Sequence, residues 1–308
     1  MSRATAVGLL VGYAADRLLG DPRRWHPVAG FGRVAGALEQ VVYADSRPRG
    51  TAYAALLVGG STALALAADR AARRPVARAA VTAVTTWAVL GGRSLDREAV
   101  AVQALLASGD LAAARRRLTH LVGRDTTTLD ADGVARAVVE SVAENTSDAV
   151  VTPLVWGAVA GVPGLVAHRA ANTLDAMVGH HSARYERFGW ASARLDDLLG
   201  LPGARLSALL AGALGSDPSG ALRAWRRDAR RHPSPNAGVV EAAFAGALGL
   251  RLGGTTVYPG GRVEQRPALG DGRPPAPADI VRTRRLAARV GLGAVLLAAG
   301  VRQVTSRA

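Results

Sequence analysis

Apolar residues run along this chain in long blocks separated by charged stretches, not in the two-residue alternation of half-buried strands, and the blocks predict helices almost throughout. Residues 50–68 (GTAYAALLVGGSTALALAA) carry no charge. A run of that length covers a hydrocarbon core of about 30 Å, so it is predicted to span a membrane. Residues 79–92 and 286–301 are shorter or interrupted by Arg289; each reads as a span extended by snorkelling arginines or as a buried helix. Further apolar helices are expected at 4–19 and 198–215. The first is not a signal peptide pattern, because Asp16 and Arg17 interrupt it and Gly20, Asp21 and Pro22 offer no small-residue cleavage site. Residues 149–167 are uncharged but contain Pro153, Gly157, Gly161, Pro163 and Gly164, which predicts a broken or re-entrant helix.

The polar blocks differ in kind. Residues 93–148 are charged and helical in pattern, punctuated at Gly109 and Asp110 and by a loop at 123–128, and are too polar to be embedded in lipid. Residues 253–278 are dense in glycine and proline, which predicts turns and an irregular surface excursion. The expected fold class is all-α: a polytopic integral-membrane helical protein forming one domain over 1–308, with polar helical segments at the membrane surface.

Composition narrows the chemistry. All 38 basic residues are arginine, against 24 acidic ones, for a net charge of +14. Without lysine there is no Schiff-base lysine and no Walker A loop. Without cysteine there is no disulfide, thiolate nucleophile or cysteine-bound metal. The arginine clusters at 115–117, 226–231 and 282–285 are not interleaved with aromatic residues for base stacking, so no nucleic-acid partner is expected. Arginines beside apolar helices fit a lipid bilayer and its anionic head groups instead.

The densest chemistry lies in residues 124–148. On a helix beginning near Asp132, the side chains of Asp132, Arg136, Glu140, Glu144 and Asp148 recur every four residues as one ionic stripe, opposite Val134, Val138 and Val142. Such stripes are commonly solvated faces stitched by i,i+4 pairs. Here Glu140, Glu144 and Asp148 follow one another without a basic partner, an arrangement that repels itself unless a cation such as Mg²⁺ sits there. The stripe also runs into the apolar segment at Ala149, where an unpaired acid is costly and usually functional. A second constellation holds Asn172, Thr173 and Asp175, then Arg194, Asp196 and Asp197. Asn172 and Asp175 suit either a hydrated cation or substrate amide, or a helix cap near Leu174. His26 and His232 stand in two further polar motifs, HPV and HPSPNAG.

Taken in order, DRLLGDP with HPV, GRDT, VESVAEN with Asp148 and Pro153, NTLDAMVG, ARLDDL, SPNAG, and a late GG with Tyr258 and Gly260 resemble the CobD/CbiB family of cobalamin biosynthesis. His168 and Arg169 before NTLD, and His180 and His181 after MVG, depart from the family pattern. The resemblance implies an integral-membrane adenosylcobinamide-phosphate synthase. Such an enzyme joins aminopropanol, or its O-phosphate, to the free propionate carboxyl of adenosylcobyric acid using ATP. It implies a corrinoid substrate, the lipid bilayer and other late cobalamin-biosynthesis enzymes as partners.

A carboxylate does not condense with an ammonium in water unless it is activated, most simply as an acyl phosphate. That reaction asks for carboxylates on Mg²⁺, cationic donors for the phosphoryl group and a base for the amine. Glu140, Glu144, Asp148 and Asp175 are the expected metal ligands; Arg124 and Arg194 are the expected phosphate clamps. His26, then His232, is the expected base, with Asp125 and Glu144 beside them in the catalytic group. Asn145, Asn172, Thr173 and Asn236 join the arginines in binding ATP and substrate. The expected location is the cell membrane, multi-pass. Arg70, Arg73, Arg74 and Arg78 place their loop in the cytoplasm by the positive-inside rule. If 79–92 then crossed, the acidic helix would lie away from ATP; the need for ATP decides for a cytoplasmic active site. The reading from another class is a non-catalytic membrane sensor or transporter using the same acids.

Overall fold

The computed structural model describes residues 3–21, 26–180, 182–258 and 260–304, with side chains as far as 302. Pro22 of the first motif and His181 lie outside the described residues. The helices are α1 (Arg3–Leu19), α2 (Pro27–Val42), α3 (Arg47–Ala71), α4 (Pro75–Val89), α5 (Gly92–Ala107), α6 (Leu111–Leu118) and α7 (Ala131–Thr146). They continue with α8 (Thr152–Ala160), α9 (Val162–Leu174), α10 (Trp190–Leu214), α11 (Pro218–Asp228) and α12 (Ala237–Leu248). Strands β1 (Leu252–Val257) and β2 (Val263–Leu269) follow, then α13 (Asp279–Val304).

The chain divides into two compact units: residues 1–91, 148–203 and 294–308, and residues 92–147 and 204–293. In the first, α1 lies along α4 with Gly8 and Gly12 seated against Thr82 and Thr86, the small-residue crossing that lets two backbones approach closely. Tyr53, Leu57 and Val58 of α3 pack on Ala170, Ala171, Leu174 and Phe188, and the Tyr53 hydroxyl donates to Ala35 O at 3.1 Å. The apolar run 149–167 is interrupted as its prolines and glycines predict. A π-helical turn over Ser147–Val151 leads into α8, and Gly161, at φ 70°, turns the chain into α9. A side chain at Gly164 would collide with Trp156 O, so the corner between α8 and α9 closes only on glycine.

Among the described residues, two helices are long and apolar enough to cross a membrane: α3 and α10, each of 25 residues. Only 22% of the apolar window of α3 is buried, which leaves most of it facing outward as lipid contact requires. The runs at 4–19 and 79–92 form α1, of 17 residues, and α4, of 15. The run 286–301 lies within α13, of 26 residues.

In the second unit, Val102, Ala114, Leu118, Val134, Val138, Val142 and Ile280 form a core beneath α5, α6 and α7. Every residue of α12 is buried. Helix α12 meets α11 through Gly246 and Gly220 at backbone contact, since a Cβ at Gly246 would strike Gly220 O. Gly246→Val should lower stability by at least about 1–3 kcal/mol, because the colliding atom is backbone and cannot swing away; thermal unfolding in detergent checks this. The glycine-rich stretch 253–278 corrects the expectation of an irregular excursion, and of a purely α-helical chain. Its first part is an antiparallel hairpin, with Val257 paired to Val263 and Leu252 to Leu269. The β-branched Thr255, Thr256 and Val257 supply the extended backbone, and the glycines at 260 and 261, both at positive φ, supply its turn.

Candidate functional site

The polar stripe of α7 faces the hairpin within the second unit. Asp130 starts the helix by accepting from the Gly133 N–H at 2.7 Å. Two turns on, Arg136 donates to Gly253 O and, at 3.0 Å, to Thr255 O. Glu140 then completes the attachment: Oε1 accepts from the Gly253 N–H at 2.9 Å, and Oε2 accepts from Arg124 Nη1 at 2.7 Å. The Arg124 and Glu140 side chains are 8% and 3% exposed, so this is a buried ion pair. Gly253 itself has φ 87°, and a Cβ there would strike Pro267 O; only glycine reaches the carboxylate in this conformation.

More charges gather around the pair. Burial pushes the Glu144 carboxyl above its ordinary range, with Arg266 and Arg124 pulling it down and Glu140 pushing it up. Glu241, from α12, is 1% exposed, and burial raises it further, reinforced by Glu140 and Glu144. His232 Nε2 stands 3.8 Å from Glu241 Oε1, and burial holds the imidazole below its usual value. Arg266 of β2 donates to the Tyr258 hydroxyl at 2.9 Å. Arg124, Glu140, Glu144 and His232, all expected site residues, are therefore brought together. Sequence reasoning missed Glu241 and Arg266. Glu241 had a signal: it is the sole charge in the otherwise apolar AGVVEAAFAGAL.

Other expected residues serve the backbone. Asp125 accepts from the Thr127 N–H at 2.8 Å and its hydroxyl at 2.7 Å, bonds that hold its carboxyl below the usual range and shape the loop before α7. Asn145 Nδ2 donates to Ser141 O at 2.9 Å. Asn236 Oδ1 accepts from Arg205 at 2.8 Å, while Ser234 Oγ caps α12 by accepting from the Ala237 N–H at 3.1 Å.

The first unit holds a separate polar group on α9. Arg169 donates to Asn172 Oδ1 at 3.5 Å and lies in the field of Asp21, Asp148 and Asp196. His26 caps α2, its Nδ1 accepting from the Val28 N–H at 3.2 Å, and its Nε2 is 3.7 Å from Asp21. Thr173 bonds back to Arg169 O at 2.7 Å. Arg169 and Thr173 line an apolar cavity of about 150 Å³ with Val28 and Phe31. Asp175 opens the π-turn Asp175–Gly179, where a Cβ at Gly179 would strike its carboxylate. Arg194 is exposed and donates to Asp197 at 3.3 Å, the geometry of an ordinary surface ion pair.

Among the described residues, no group of three or more histidine, aspartate or glutamate side chains is placed to hold a metal ion. Of the expected ligands, Glu140 and Glu144 belong to the second unit, and Asp148 and Asp175 to the first. Both oxygens of Glu140 are committed to Arg124 and Gly253. Asp148 falls in the π-turn after α7, where the wider turn breaks the four-residue repeat.

Comparison with known proteins gives a consistent answer. The family model described as CobD/CbiB protein matches residues 9–287. A protein of Mycobacterium tuberculosis is 53% identical over 299 residues, covering 95% of this chain and 94% of its own. Proteins of Chromobacterium violaceum and Rhodobacter capsulatus are 47% and 41% identical, covering 92% and 95% of this chain and 93% and 96% of their own. All three are named cobalamin biosynthesis protein CobD. No solved structure matches the chain. With the match spanning both units and every motif from the first aspartates to the hairpin, the chain belongs to the CobD/CbiB family.

Proposed function

We propose that this chain acts in cobalamin biosynthesis as the enzyme that joins (R)-1-aminopropan-2-ol, or its O-phosphate, to the propionate carboxyl of adenosylcobyric acid at the expense of ATP. The relatives' names support the pathway. The observation that carries the chemistry is the buried Arg124–Glu140 pair with Glu144, Glu241, His232 and Arg266 around it. Acid and base groups with opposed pKa shifts, beside fixed guanidinium groups, suit an acyl transfer with a phosphoryl intermediate.

In this reaction a propionate oxygen attacks the γ-phosphorus of ATP, ADP leaves, and an acyl phosphate forms. The amine nitrogen then attacks the acyl carbon, phosphate leaves, and one proton is given up. Arg124 and Arg266 are the cations of the cluster that meet the transferring phosphoryl charge; both are held by neighbours and need little reorganisation. Mg²⁺ comes with the nucleotide as Mg·ATP, since such ions lean on substrate phosphates and keep their waters rather than needing a protein cage. Helices α3 and α10 anchor the protein in the cell membrane, with the site facing the cytoplasm where ATP is found.

The test is turnover of the purified full chain in detergent with ATP, adenosylcobyric acid and either form of the amine. The expected result is a corrinoid amide and ADP in equal amounts. Corrinoid binding without ADP release would favour a sensor or transporter instead.

A further inference from the structure

The charges gathered around Glu140 divide into two sets. Glu140, Glu144, Arg124 and Arg266 sum to zero, and Glu140, Arg124 and Arg266 each make at least one hydrogen bond. His232 Nε2 and Glu241 Oε1 make none. Their side chains are 4% and 1% exposed, and the two atoms face each other at 3.8 Å. A hydrogen bond between them would need about 2.7–3.2 Å. Two buried polar atoms that face each other at this distance, neither with a partner of its own, leave one place between them where a single proton can serve both.

The backbone behind the ring is built for both states. Ser234 offers His232 Nδ1 its N–H at 3.1 Å and its carbonyl oxygen at 3.4 Å. Nδ1 is served whether it accepts or donates, so the ring keeps its place in either tautomer and as imidazolium. A proton arriving at Nε2 converts a repulsive contact into a charge-assisted hydrogen bond and takes the buried set from one negative charge to none.

We propose that His232 and Glu241 act as a single proton-holding unit, in which Glu241 positions His232 and the pair takes up the proton released by the attacking amine. The inference rests on the ligase reading for its catalytic half. One N–H bond of the ammonium breaks and the Nε2–H bond forms; the freed nitrogen lone pair attacks the acyl carbon, phosphate departs with the C–O electrons, and the second N–H proton leaves with the phosphate. The groups facing His232 are Arg266, Glu140 and Glu264; those facing Glu241 are Glu140, Glu144, Arg266 and Arg124. Burial moves Glu241 up and His232 down, the directions in which one proton, not two, is held by the pair.

Thermal unfolding of the full chain in detergent, measured against pH, reads the pair without activity. The folded Glu241 carboxyl is raised, so its contribution to stability is complete below the unfolded value of about 4.3 and is lost as pH rises through the folded value. The wild type should therefore show a falling limb in Tm. That limb should vanish in Glu241→Gln, an isosteric change that removes a buried charge, and move by at least about 1 pH unit in His232→Gln. A limb unmoved in His232→Gln overturns the shared proton. In turnover, Glu241→Gln should lower kcat by about 10²-fold with KM for ATP held, and Glu241→Asp should recover part of the wild-type pH profile. An unaltered kcat and pH profile in Glu241→Gln overturns the catalytic half. If the wild type forms no amide, the ligase reading and that half fall together, while the coupled Tm limb still stands or falls by itself.

Discussion

Glu140→Ala should cost about 3–5 kcal/mol of stability, the scale for stripping one partner from a buried ion pair. The change leaves the Arg124 guanidinium, 8% exposed, without its counter-charge, and leaves the Gly253 N–H without its acceptor. The same pair replaced on both sides by apolar residues would cost far less, because the penalty comes from the stranded charge and not from the loss of attraction. Glu140→Gln keeps an acceptor for Gly253 and should fall between wild type and alanine. Denaturant unfolding in detergent measures all three. A Glu140→Ala loss below about 1 kcal/mol would mean that Arg124 swings to water or to Glu144, and that the pair is not what fixes β1 to α7.

Arg124→Lys should keep the charge, and with it most of the fold, yet lower kcat/KM by about 10²-fold, the scale of one transition-state donor. An ammonium can replace the single bond to Glu140. It cannot present a planar fork to a phosphoryl group while still paired. The comparison residue is Arg194, whose side chain is 68% exposed and pairs with Asp197 on the surface. Arg194→Lys is the matched measurement: equal losses at both positions would mean that the effect is not specific to Arg124, and no loss at Arg124 would return it to a structural role.

What could be read from the sequence was what repeats locally. The four-residue stripe on α7 follows from helix geometry, and the break at Gly161 follows from a backbone angle that few residues besides glycine adopt. Glu140 and Glu144 were legible because their neighbours one turn away share their polarity. What long-range contact decides was not legible. Nothing near Glu140 says that its carboxylate will be taken by a glycine N–H in a hairpin more than a hundred residues on. The hairpin was hidden because glycine and proline density usually marks irregular chain, while here the glycines occupy positive-φ positions in and beside paired strands. Arg266 was hidden within the same stretch. Asp148 was placed on the stripe by a period that the π-turn interrupts. The capping of α2 by His26 Nδ1 also went unread.

The second unit is assembled from two stretches of chain, with residues 148–203 belonging to the other unit between them. During synthesis Arg124 and Glu140, 16 residues apart, emerge nearly together and can pair at once. The Gly253 partner of Glu140 follows 113 residues later, about 6–23 s at ordinary elongation rates. For that interval the ion pair is half-built, with one carboxylate oxygen and the charges near it still wet. Glu241 and Arg266 arrive with the closing stretch, so the most strongly perturbed acid in the cluster is desolvated only when Arg266 comes with it.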